Sequence, residues 1–152
     1  MGAADACLIC LYIMTSSNMP KRVYLEEVID RVVLFIKYHL RNTIFPSFDS
    51  TYRLDNKKKD GRRKKSTPVS EKSILVLYTK ISELVNLLAE LLNIQVLTDT
   101  SVLHASSMGV SPFFAENVSE LQLACLKLVT TVSTYCATKP VDGQKILDFH
   151  AL

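Results

Sequence analysis

Seven cations, Lys57, Lys58, Lys59, Arg62, Arg63, Lys64 and Lys65, occupy nine consecutive positions with only Asp60 and Gly61 between them. That segment carries net +6 in a chain of net +3, which leaves −3 for everything else. Charge concentrated in this way implies an anionic partner: a phosphate backbone, an acidic protein surface or the nuclear import machinery. Lys57–Lys59 and Arg62–Lys65 form two short basic clusters of the import type. Contact with DNA phosphates would be salt-dependent and indifferent to base sequence. No aromatic residue lies inside the run, so it offers no base-stacking platform. The plain alternative is a solvated linker.

Other side chains capable of chemistry form no constellation. Cys7 and Cys10 make a C-x-x-C, but no second pair or nearby His completes a zinc set. Together with Cys125 and Cys136 they lie on apolar stretches, which predicts buried thiols. A thiol-dependent activity at Cys7/Cys10 is the enzyme-class alternative. His39, His104 and His150 are isolated from one another in the sequence. Ser101, Ser106 and Ser107 lie near His104 without a nucleophile elbow or a carboxylate partner. Glu26, Glu27 and Asp30 place two carboxylates on one helical face, a pattern best explained by solvation. The glycines at 2, 61, 109 and 143 are too dispersed for a phosphate loop. No catalytic, cofactor-binding or metal-ligating residue is assigned, no cofactor or small-molecule substrate is implied, and a non-enzymatic role is expected.

The apolar pattern predicts an all-α chain of about five helices. Ala3–Met14 is apolar almost all round, so it is expected to be buried or to leave apolar surface that drives self-association. Leu25, Val28, Ile29, Val32, Val33, Phe35, Ile36 and Leu40 recur at helical spacing and predict a helix over 24–43, ended by Pro46. No helical period survives between Pro46 and Val69, and residues 55–68 are expected to be a disordered basic loop. Ser70 caps a helix over 71–92 with a stripe of Leu75, Tyr78, Ile81, Leu84, Val85, Leu88, Leu91 and Leu92. The helices on either side of the loop are expected to form an antiparallel pair. A short helix starts near Thr98 and runs through Ser107, closed by Gly109 and Pro112. Asn117 with Glu120 three residues on predicts a cap for a last helix, 118–135. The organisation expected is a helical segment over 1–54, the loop, a second helical segment over 69–135 and a divergent tail over 136–152. No charge-free apolar stretch reaches the roughly 18 residues that span a bilayer. The N-terminus lacks the cations of a signal peptide. No membrane role is expected.

Several separated strings, in one order, resemble the Nipped-B family of cohesin-loading proteins. They are Met14-Thr15, Asn18-Met19-Pro20-Lys21, Val23-Tyr24, Glu27-Val28-Ile29 and Tyr52-Arg53-Leu54-Asp55. The most distinctive are Leu97-Thr98-Asp99-Thr100, Ser106-Ser107-Met108-Gly109, Pro112-Phe113-Phe114 and Glu116 through Leu123. The resemblance covers roughly residues 5–132. It implies a HEAT-type α-solenoid fragment, a nuclear location, and participation in loading cohesin onto chromatin and in sister chromatid cohesion. Cohesin subunits and a TPR-type loader partner are the implied partners of the whole protein, with DNA or chromatin possible through the basic loop. A standalone nuclear adaptor, its basic loop serving as import signal or DNA contact, is the alternative.

Overall fold

The computed structural model describes residues 2–20, 22, 24–52 and 71–138. The basic run and the tail after Thr138 lie outside them. The described residues are helical throughout, joined by short turns, and contain no strand. No helix among them is long and apolar enough to cross a membrane.

Helix α1 spans Ala3–Thr15 and α2 spans Glu26–His39. A π-helical turn, Leu40–Ile44, leads directly into the short α3, Phe45–Phe48. Helix α4 covers Glu71–Ile94, α5 covers Asp99–Val110, and a 3-10 turn over Ser111–Phe114 precedes α6, Ser119–Thr138. Pro46 therefore does not stop the helical path. It sits in the first turn of α3, a position that proline tolerates. Residues 50–52 are helical as well.

Helix α4 is the spine. Its buried residues, among them Tyr78, Ile81, Leu84, Val85, Leu87, Leu88 and Leu91, cover more than one stripe. A helix with so wide an apolar arc must be covered from two sides. Helices α1 and α6 do this, while α2 packs on α5. The antiparallel pairing expected of α2 and α4 is thus not the main packing: sequence adjacency across a long connection does not force contact. Leu75, expected in the stripe, is 52% exposed.

In α1 only Ala4, Leu11 and Met14 are buried, and Ile9, Tyr12 and Ile13 stay exposed. The apolar surface expected there is real. The core is continuous from Leu11 and Ile36 through Ile44, Leu84 and Leu91 to Met108, Leu121 and Leu128. Gly109 lies inside α5 and does not close it. A Cβ at that position would stand 3.2 Å from Leu128 and 3.3 Å from Val129, so the glycine lets α5 and α6 approach closely.

Candidate functional site

Several polar residues of the described body join helices. Glu26 and Asp30, one turn apart on α2, are half-buried and face the start of α5. The Thr98 N–H donates to Glu26 Oε1 at 2.7 Å, and the Thr98 hydroxyl donates to the same oxygen. Ser101, 1% exposed, donates its hydroxyl to Asp30 Oδ1 at 2.8 Å. Thr98 also caps α5 by accepting from the Ser101 N–H. Two carboxylates at the N-terminus of a helix suit its dipole. The face carrying Glu26 and Asp30 is thus a clamp between helices and not the solvated face its composition suggested. Glu27, which pairs with Arg31 at 2.8 Å, is the exposed member.

A second clamp holds the segment after α2. Asp49 is 3% exposed and accepts from the Thr51 N–H at 2.9 Å, the Thr51 hydroxyl at 2.6 Å and the Tyr52 N–H at 3.2 Å. Its other oxygen accepts from the Glu116 N–H at 3.2 Å. Asn117 donates its side-chain amide to the Phe48 carbonyl at 3.2 Å and has φ of 61°. It therefore does not cap α6. It occupies the left-handed turn that asparagine tolerates and spends its side chain across the chain. The Thr51 hydroxyl, followed by the Glu116 N–H, holds the Asp49 carboxyl below its ordinary 3.8. Its stabilising contribution is therefore present above pH 3.8 and is lost as pH falls through the lower folded value. Asp49→Ala, which leaves four donors without their acceptor, lowers the Tm by about 5 °C at pH 7 by calorimetry. An unchanged Tm would remove Asp49 from the set of structural residues.

Two tyrosine hydroxyls finish the scaffold. Tyr78 accepts from the Leu121 N–H at 3.1 Å, serving the first turn of α6. Tyr135 donates to the Leu97 carbonyl at 2.9 Å and accepts from the Leu97 N–H at 3.0 Å. These cross-chain bonds escaped sequence reasoning, because the partners are 38 to 72 residues apart. Only the helix start near Thr98 was visible locally.

The remaining reactive groups are placed for packing. Cys125 is fully buried and burial pushes its thiol up to about 12. The Cys7 thiol is raised as well, by burial and then by Cys10. A raised thiol is a poor nucleophile at neutral pH. Cys7, Cys10 and Cys136 are half-buried, so of the four thiols expected to be buried only Cys125 is fully enclosed. Among the described residues no three His, Cys, Asp or Glu side chains are grouped to hold a metal ion. His104 is exposed on α5, while Ser101 is buried against Asp30, so the two form no catalytic pair. His39 lies beside a cavity of about 300 Å³ at the junction of α1, α2 and α4. The seven cations from Lys57 to Lys65 fall outside the described residues, and no geometry is assigned to them.

No protein-family model matches the chain, and no solved structure matches it. Curated proteins do. The human Nipped-B-like protein is 51% identical over 135 residues, which is 86% of this chain and 5% of that protein. The Nipped-B-like protein scc-2 of Caenorhabditis elegans is 38% identical over 138 residues, 86% of this chain and 6% of its own length. The Nipped-B protein of Drosophila melanogaster is 36% identical over 135 residues, covering 87% and 6%. These identities are far above what shared helical composition gives. The chain spans about one twentieth of the length of these relatives, and by sequence it belongs to the Nipped-B-like family as the counterpart of one short helical segment.

Proposed function

We propose that the chain is a non-enzymatic piece of a HEAT-type α-solenoid scaffold that acts, in the whole protein, in loading cohesin onto chromatin and in sister chromatid cohesion in the nucleus. The observation that carries this reading is the 51% identity over 135 residues to the human Nipped-B-like protein. The helical body supports it: helices packed by pairs and fixed by carboxylate clamps suit a structural unit of a solenoid. In such a unit the buried polar groups position helices, and chemistry is left to partners. Cohesin subunits and a TPR-type loader partner are the proposed partners of the whole protein. Replacing the corresponding segment of the human protein with this chain is the test, and loading of cohesin should survive the exchange.

Lys57, Lys58, Lys59, Arg62, Arg63, Lys64 and Lys65 are proposed as the anion-contacting element, either on DNA or as an import signal. Seven cations engaging phosphates give a slope of log K against log salt of about −6. Substituting all seven with Gln abolishes binding of the chain to duplex DNA at low salt in a filter or anisotropy assay. Binding that persists places the contact elsewhere. Nuclear exclusion of the variant, with DNA binding intact, favours the import reading and the standalone adaptor.

A further inference from the structure

His39 is the one described side chain with a fully enclosed polar atom that no protein atom satisfies: its Nδ1 is buried and without a hydrogen-bond partner. The ring stands against Phe35, with centroids 4.5 Å apart, and edge-on to Tyr38 at 5.2 Å. It is the last residue of α2. The helical path continues past it through Leu40–Ile44, so no open helix C-terminus is available to stabilise a cation there.

The surrounding charges are few and already engaged. The cavity beside His39 is lined from α1 by Gly2, Ala3, Ala4 and Asp5, and from α4 by Ser73, Val76, Leu77 and Lys80. Asp5 and Lys80 are the lining's charged side chains, and they pair with each other at 2.6 Å, tying α1 to α4. Asp5 also accepts from the Gly2 N–H at 3.1 Å. On the same helical path Lys37 and Arg41 flank His39 and are exposed. An imidazolium here has two courses. It stays unpaired among aromatic and aliphatic groups, which costs desolvation energy, or it draws Asp5 away from Lys80. The first destabilises the packing of the junction, and the second breaks the pair that ties α1 to α4.

We propose that His39 is a pH-sensitive latch at the junction of α1, α2 and α4: neutral, it keeps α1 seated, and protonated, it loosens α1 from the body. The consequence is controlled exposure of an already half-open apolar helix, whose Ile9, Tyr12 and Ile13 face outward even when it is seated. Burial holds His39 below its ordinary 6.5. A histidine with a depressed folded value stabilises the seated state above the unfolded value. That contribution is lost as pH falls through 6.5 toward the folded value. Asp5 is held below 3.8, chiefly by its bond to Lys80, and the Cys7 thiol is raised above 9.0, so neither titrates in that window.

The test is an NMR titration of the His39 ring in the full chain, with amide exchange of α1 and α6 at pH 7.5 and 5.5, each corrected for intrinsic exchange. His39 titrates below its ordinary value, and α1 amides lose about tenfold in protection at the lower pH while α6 amides hold theirs. In His39→Gln, and in His39→Phe as a second variant, the pH dependence of α1 protection disappears. Titration of wild-type His39 at or above 6.5, or α1 protection equal at both pH values, overturns the latch even if neither variant folds.

Discussion

Leu84→Ala lowers the stability of the helical body by about 3 kcal/mol, read as a reduced urea midpoint at unchanged m-value. Leu84 is 0% exposed at the middle of the spine helix α4. The helices on its two sides, α1 and α6, are held by the rest of α4 and cannot close fully over the space left. Truncation then costs the transfer free energy of the lost carbons and the cavity term together. The matching control is Leu75→Ala. Leu75 belongs to the same apolar sequence pattern but is 52% exposed, so its truncation changes stability by at most about 0.5 kcal/mol. Equal losses at the two sites would mean that α4 is not covered as described.

Gly109→Val has the second large effect, a loss of about 1–3 kcal/mol from overpacking. The β-carbon alone reaches 3.2 Å from Leu128 Cδ2, and the two methyls of valine go further into α6. Gly109→Ala is milder. The helix gains about 1 kcal/mol of propensity, which offsets much of the crowding. The contrast between the two variants in chemical denaturation is the informative quantity. A glycine that ended the helix in the left-handed region would instead lose stability with both residues, alanine included.

These two positions mark what the sequence discloses and what it hides. The period of Tyr78, Ile81, Leu84, Leu88 and Leu91 is a local property, and it placed α4 within two residues of its observed end at Ile94. Whether Leu75 joins the core depends on what lies over the first turns of α4, and periodicity carries no information on that. Gly109 and Pro112 are punctuation in a sequence. Here α5 runs through the glycine to Val110, and the proline enters a 3-10 turn, because α6 packs against that stretch and rewards its close approach. Pro46 follows the same logic: a proline in the first turn of a new helical segment breaks nothing. The carboxylate clamps were illegible for another reason. Glu26, Asp30 and Asp49 look like surface acids until Thr98, Ser101 and Glu116 arrive from 67 to 72 residues away. The family resemblance was legible in the stretches around Thr98 and Glu116, and these include Thr98, Glu116 and Asn117, which take part in the clamps.

The segment exchange tests the central claim most directly. The 135-residue region of the human Nipped-B-like protein matched by this chain is replaced with this chain's own residues. Loading of cohesin onto DNA is then measured beside the unaltered protein, with the fold of the chimera checked by its thermal transition. A scaffold counterpart predicts loading within about twofold of the unaltered protein, because the inserted helices carry their own clamps with them. A chimera that folds normally and fails to load cohesin would contradict the account.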